Sequence, residues 1–526
     1  MRAFADLLDR LTFAPQRNAK LRLMEAYFRS APDPDRGWAL AALTSGLAFA
    51  NARRGVVREL VAERVDPVLF GLSRDYVGDT AETVALIWPK SDCGATPPTL
   101  GEVVARLRAA GRSEVHALLA SWLDRLDPSA RFALVKLITG GLRVGVSARL
   151  AKQAVANFAG VDIQRVEELW HGLEPPYAPL FAWSEGRGPE PDVSMSLRFH
   201  PLMLANPLNE RDLASLDAEA CLAEWKWDGI RVQIAARAGD VRIFSRAGDD
   251  ISASFPDIAM HCRFDAVLDG ELLVVRGGEV APFNDLQQRL GRKTVSAKMR
   301  AGYPAHVRLY DALFIEGTDL RGLPLSERRA RLEAWYAERR PDAMDLSPLI
   351  AFTSFPELAA LREGARAAGI EGLMLKHRLS PYIPGRPKGP WFKWKRDPLA
   401  ADVVLMYAQL GSGKRSSYYS DYTFGAWREA GGGRELVPVG KAYFGFTDEE
   451  LARLDRFVRD HTVNRFGPVR ELEPRLVLEV AFDAVQRSPR HKSGIAMRFP
   501  RIARIRWDKP ADEADRRETL EALIEG

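Results

Sequence analysis

The amino-acid sequence predicts a multidomain chain: an all-α N-terminal domain over residues 1–195, an α+β domain over 196–397, and a small β-barrel domain over 398–526. Three observations lead there. The 526 residues correspond to about three domains at roughly 100–200 residues each. The hydrophobic period changes along the chain from helical spacing to alternation. Stretches rich in proline and glycine interrupt it, and one of them, EGRGPEPDVS at 185–194, reads as a linker.

In the first part, residues 1–20 carry charges among their apolar positions and read as an amphipathic helix, not a signal peptide. Residues 113–126 and 147–158 repeat apolar side chains at helical spacing. Breaks are expected at 31–37 and 186–192. In the second part, alternation predicts strands at 231–235, 241–245, 267–275 and 307–314. Helical patterns at 326–339 and 355–368 interrupt them, which gives a mixed α+β domain. In the third part, strands at 402–410, 422–428, 436–444 and 475–482 alternate with glycine-rich turns. One helix is expected at 447–465. That order fits a barrel of the OB type.

Composition narrows the function only by exclusion. Apolar residues make up 46% and charged residues 28%, as in globular domains with cores. No apolar run reaches the roughly 20 residues that cross a bilayer. The three cysteines, Cys93, Cys221 and Cys262, form no CxxC pair, so a four-cysteine zinc site within the chain is impossible. They read as reduced thiols of a cytoplasmic protein. A net charge of +5 permits a polyanionic partner without requiring one.

The sharpest local signal is Glu224-Trp225-Lys226-Trp227-Asp228-Gly229-Ile230-Arg231. A lysine between tryptophans, near other cations, is expected to lose its proton more easily. A neutral amine can attack phosphorus. The same octapeptide can equally be a strand ending in an Asp-Gly hairpin turn. A second candidate, Gly411-Ser412-Gly413-Lys414, looks like part of a phosphate-binding loop. Ala408 stands where that motif needs glycine and Arg415 where it needs Ser or Thr, so it reads as a plain barrel loop.

Lys-x-Asp-Gly-x-Arg resembles motif I of the covalent nucleotidyltransferases, and further segments resemble the later motifs in order. They are Asp269-Gly270-Glu271, Tyr310-Asp311, Glu371 through Lys376, Trp391 through Lys395, and Arg498 through Lys509. The resemblance implies that Lys226 is the nucleophile. It implies that Glu224 reads adenine, that Tyr310 stacks on it, and that Arg231 and Arg246 contact ribose and phosphates. Glu271 and Glu371 are expected to bind Mg²⁺, a hard cation suited to oxygen ligands. Lys393 and Lys395, two apart on one strand face, would hold the triphosphate. Arg386 would be a further phosphate or nucleotide contact. Arg501, Arg506, Asp508 and Lys509 would orient the leaving pyrophosphate.

The helical N-terminal part resembles the DNA-binding domain of large ATP-dependent DNA ligases, through KLITGGLRVGVS at 136–147. Gly140, Gly141 and Gly145 would let backbone approach a duplex, with Arg143 and Ser147 on phosphates. The expected protein is thus an ATP-dependent DNA ligase that uses ATP and Mg²⁺ on nicked duplex DNA as a monomer away from membranes. NAD-dependent ligases are similar but carry a four-cysteine module that three cysteines cannot make. An RNA ligase is the nearest alternative. A non-catalytic clamp that has kept the fold is the more distant one.

Overall fold

The computed structural model describes every residue except 78, 90–95, 194–196, 293, 366–369, 411–417 and 525–526. The Gly411–Lys414 stretch, Cys93 and the expected 195/196 boundary therefore lie outside the described residues.

From Arg2 to Ser184 the described elements are all helical. The first helix, Arg2–Phe13, buries Phe4, Leu7, Leu8 and Leu11, one apolar stripe at helical spacing. Thr99 and Glu102 form a capping box that starts the helix Leu100–Ala109, each satisfying a backbone amide the helix leaves unpaired. The helices close on one core that includes Phe28, Trp122 and Phe181. The break expected at 31–37 is only half present, because the helix Asp35–Leu43 begins inside it. Gly37 is a packing residue there: a Cβ would fall 1.7 Å from the Pro176 carbonyl oxygen.

The middle region folds as two sheets. One orders its strands Asn206–Pro207, Trp391–Lys395, Ile370–His377, Cys221–Trp227 and Leu349–Ile350. The other runs Asp240–Ser245, Ile230–Arg237, Ala266–Arg276, Ala305–Ile315 and Thr318–Asp319, with two short strands on its flanks. Cys221–Trp227 and Ile230–Arg237 are consecutive in the chain yet belong to different sheets. Asp228-Gly229 is thus a crossover between sheets rather than a hairpin turn. Glycine is required at 229, since a Cβ would lie 2.5 Å from the Leu272 carbonyl oxygen.

The C-terminal region is an antiparallel β domain with one long helix. The strand Leu399–Leu410 pairs along one edge with Tyr419–Ala430. Its other edge is shared by Val477–Phe482 and Val469–Leu472, which bends the sheet around a core of Leu405, Phe424, Leu478 and Phe482. The expected helix at 447–465 is shorter. A Thr447/Glu450 capping box starts it and it ends at Asp460. Thr462–Phe466, opening with β-branched Thr462 and Val463, pairs instead with Val469–Leu472, as such side chains favour. Among the described residues no helix is long and apolar enough to cross a membrane.

Candidate active site

A cleft of about 440 Å³ runs between the two middle sheets. Alternation along Cys221–Trp227 gives Glu224 and Lys226 the same face, and both line the cleft. The Lys226 amine donates to the Glu371 carboxylate. Glu371 reaches it because its strand shifts register between Ile370 and Gly372; such a bulge re-aims a side chain. Gly372 (φ +141°) carries the bulge, and a Cβ there would lie 2.3 Å from the Trp394 carbonyl oxygen.

The expected setting of Lys226 needs correction. Both tryptophans reach the cleft wall, but neither ring makes its principal contact with the amine. Trp225 packs on the Leu358–Leu373 core. Trp227 donates to Ser347 at 3.3 Å and lies under Arg308 at 4.1 Å. The nearest partner of the amine is a carboxylate, brought to it by the register shift before Gly372.

Glu224 is 2% exposed and accepts from Lys376 Nζ at 3.1 Å. Lys376 itself lies 4.5 Å from the Tyr310 ring centre and 4.8 Å from that of Trp391. Lys376, to which the motif resemblance assigned no individual role, fixes Glu224 as an acceptor at the floor of the cleft. Tyr310 lines the same floor, and burial raises its hydroxyl well above the usual range.

Arg231 is tied down by protein. It donates from Nε to Asp269 at 3.0 Å, from Nη1 to the Met203 carbonyl at 2.7 Å, and from Nη2 to Asp269 at 2.5 Å and the Tyr382 hydroxyl at 3.1 Å. Of the five donors of a guanidinium, one on Nη1 is left for a ligand. Asp269, fully buried, also accepts from Tyr382 at 2.8 Å. Glu271, two residues on, faces the cleft and has no hydrogen-bond partner among the described residues. Burial, with Glu371 and Asp269 adding to it against Lys226 and Arg231, pushes its carboxyl up to about 8.

Cations gather at one end. Lys393, Lys395 and Arg246 all line the cleft. Burial first, then the charges of Arg386, Lys226, Lys395 and Arg246, lower the Lys393 amine below its ordinary range. Arg386 is exposed beside this group and outside the cleft lining itself. Lys395 reaches Asp483 of the C-terminal region at 3.0 Å and Glu371 at 3.7 Å.

The C-terminal region meets the cleft through residues other than those expected. Arg498 donates to Asp228, from Nη2 at 2.8 Å and also from Nη1, and both Arg498 and Phe499 line the cleft. Arg501 lies 3.9 Å from Asp483. Arg506 pairs with Asp508 at 2.9 Å and Asp402 at 3.3 Å, and Lys509 pairs with Asp402 at 2.8 Å. Asp402 belongs to the β domain's own sheet, so it keeps Arg506 and Lys509 on that domain and out of the cleft.

As a metal site, the cleft offers Glu271 and Glu371. Among the described residues no group of three or more His, Cys, Asp or Glu side chains is arranged to hold a metal. Two half-buried carboxylates, one of them unpartnered among the described residues, fit an ion that keeps waters and bridges phosphates.

In the helical region, Gly140 (φ +69°) ends the helix Pro128–Thr139. Arg143 (φ +52°) is exposed in the loop that follows. The Lys20 amine donates to the Val144 carbonyl and fills the space a Cβ on Gly145 would take. Ser147 Oγ already caps the next helix, accepting from the Leu150 amide at 3.2 Å. Arg143, Gly145 and Ser147 line a groove of about 900 Å³ with Phe13, Arg17 and Arg149.

Two facing sheets with an amine, two carboxylates and a bank of cations between them define a nucleotidyltransferase-like enzyme domain. Known proteins agree. A family model described as "ATP dependent DNA ligase domain" matches residues 202–395, and one for the "ATP dependent DNA ligase C terminal region" matches 415–509. A "Probable DNA ligase" of Koribacter versatilis (strain Ellin345) is 38% identical over 440 residues, covering 78% of this chain and 75% of the relative. A "DNA ligase 1" of Korarchaeum cryptofilum (strain OPF8) is 31% identical over 546 residues, covering 100% of this chain and 98% of its own. The solved structure "Pmar-Lig_Pre." shares the fold, with a TM-score of 0.61 at 17% identity over 96% of this chain and 99% of that one. The chain belongs to the ATP-dependent DNA ligase family.

Proposed function

We propose that this ligase seals nicks in duplex DNA through an AMP held covalently on Lys226. The observation that carries the reading is the Lys226–Glu371 contact inside a cleft that also holds Glu224, Glu271 and Lys393. In the first step the Lys226 nitrogen bonds to the α-phosphorus of ATP, the bond to the β-phosphate oxygen breaks, and pyrophosphate leaves. The amine gives up its proton, and Glu371, hydrogen-bonded to it, is within reach to accept. AMP then passes to the 5′-phosphate of a nick. The 3′-hydroxyl attacks that phosphate, and AMP departs. Positioning and neutralisation of charge supply most of the catalysis in such transfers.

Glu224, held by Lys376, reads the adenine edge; Tyr310 stacks on the ring; Arg231 and Arg246 contact ribose and phosphates. Lys393, Lys395 and Arg386 neutralise the phosphates. Glu271 and Glu371 would hold Mg²⁺, which would screen phosphate charge during transfer. Arg501, Arg506, Asp508 and Lys509 orient pyrophosphate once the C-terminal domain has turned to present them. Gly140, Gly141, Arg143, Gly145 and Ser147 hold the duplex. The domains run 1–195, 196–397 and 398–526, in a monomer. Cys221 and Cys262, both buried free thiols, suit a reducing cytoplasm.

Incubation with α-labelled ATP tests the first step. Label is expected to survive denaturation on the wild type and to be absent from Lys226→Ala. Sealing of nicked DNA but not of a nicked RNA duplex separates this reading from an RNA ligase. Label on Lys226→Ala would refute the assignment of the nucleophile.

A further inference from the structure

A second pocket, of about 170 Å³, lies where the helical region meets the middle region. Arg149 and Lys152 enter it from the helix Ala148–Ala159. Arg246 enters from the turn after the strand Asp240–Ser245. The walls interlock tightly. A Cβ on Gly248 would lie 2.4 Å from the His171 ring, and one on Gly385 would lie 3.4 Å from Arg149 Nη1.

The charges in this pocket are out of balance. Glu167 is its one carboxylate, 3.8 Å from Arg149 Nε. Lys152 and Arg246 have no hydrogen bond or ion pair among the described residues. The Lys152 amine lies 4.7 Å from the Trp170 ring centre. Burial pulls it down to about 8, and burial beside Lys152 pulls the His171 imidazole down to about 3. Lys152 is half-buried while Arg149 and Arg246 stay open to water, so like charges gather here with too few carboxylates to balance them. Arginine and lysine donors converging on one small space match the oxygens of a phosphate.

We propose that Arg149, Lys152 and Arg246 form a phosphate site at this junction, occupied by one backbone phosphate of the bound DNA strand. The proposal rests on the nick-sealing reading for its occupant. A strand held there bridges the helical region to the two loops that carry Arg246 and Arg386. Duplex capture and assembly of the nucleotide cleft would then share one anchor.

The test measures binding of nicked duplex to the full-length protein without ATP, for the wild type and for Lys152→Met, Arg149→Gln and Lys152→Arg. Each charge-removing variant is expected to bind about tenfold more weakly. The slope of log affinity against log salt should fall by about 0.9 for the lost phosphate contact. Lys152→Arg should keep both, and all three should take label from ATP without DNA at the wild-type rate. Should DNA binding hold while inhibition by inorganic pyrophosphate weakens, the phosphate site stands and its occupant is free pyrophosphate. Folded variants with wild-type DNA affinity, salt slope and pyrophosphate inhibition would overturn the proposal. A wild-type protein that takes no label from ATP would instead sink the nick-sealing reading, a separate outcome.

Discussion

The nucleotide cleft and the N-terminal groove are both basic, and they are built in opposite ways. In the cleft most charges are held: Lys226 by Glu371, Lys376 by Glu224, Arg231 by Asp269, Arg498 by Asp228. In the groove Arg143 is exposed, with no side-chain partner among the described residues and a backbone conformation that costs energy. Preorganised, half-buried dipoles stabilise charge that appears for an instant. Exposed cations on glycine-rich backbone suit a polyanion that arrives with its counterions and displaces them. On the proposed function, one surface suits chemistry and the other suits holding.

The largest effect that can break this comparison lies in the C-terminal segment. Arg498 faces the cleft while Arg506 and Lys509 are turned to Asp402, so the two sets should serve different steps. Arg498→Ala is expected to slow sealing of a pre-adenylated nick by about 10²-fold, the order for one lost charge-stabilising donor, and to spare self-adenylation. Arg506→Ala should do the reverse. Equal losses in both assays for both variants would show that the segment acts as one unit.

Next comes stability. Asp269→Ala leaves Arg231 buried without its carboxylate, which costs about 3–5 kcal/mol. A denaturant titration should find that loss. A change under 1 kcal/mol would mean that water replaces the carboxylate and that the cleft is wetter than its packing implies. Arg143→Ala in the groove should leave the melting temperature alone. It should weaken binding of nicked duplex and reduce the salt slope by about 0.9; an unaltered slope would remove Arg143 from the interface.

The last effect is a pH dependence. The Glu271 carboxyl is raised from 4.5 to about 8 in the folded protein. Between those values the folded state binds more protons than the unfolded one, so stability falls as pH rises through this window. Without metal, the wild type should lose stability from pH 5 to pH 8 relative to Glu271→Gln, whose profile should be flatter. Mg²⁺ should reduce that loss by binding the carboxylate form. Parallel profiles for the two proteins would show that Glu271 is solvated.

Much of this was legible in the sequence because strand alternation and ordered short segments are local properties. The period-two pattern over 267–275 and 307–314 predicts strands, which run over Ala266–Arg276 and Ala305–Ile315, and Lys226, Glu271, Tyr310, Glu371, Lys393 and Lys395 meet in one cleft. Other features were not legible. Nothing in EWKWDGIR distinguishes a hairpin from a crossover, because the difference lies in which distant strands pair with each half. Four arginines in RFPRIARIR give no sign of which one turns to the cleft. The carboxylates that decide it, Asp228 and Asp402, lie 270 and 104 residues away.

The sequence by itself determined the helical and β textures, the order of the motif segments and the chemical types gathered around Lys226. These follow from backbone periodicity and side-chain chemistry, which act over a few residues. Only the tertiary structure decided that Lys226 meets Glu371, that Lys376 underpins Glu224, and that Arg498 rather than Arg506 enters the cleft. Charge pairing is a matter of distance in space, and folding brings together carboxylates and cations that the chain keeps far apart.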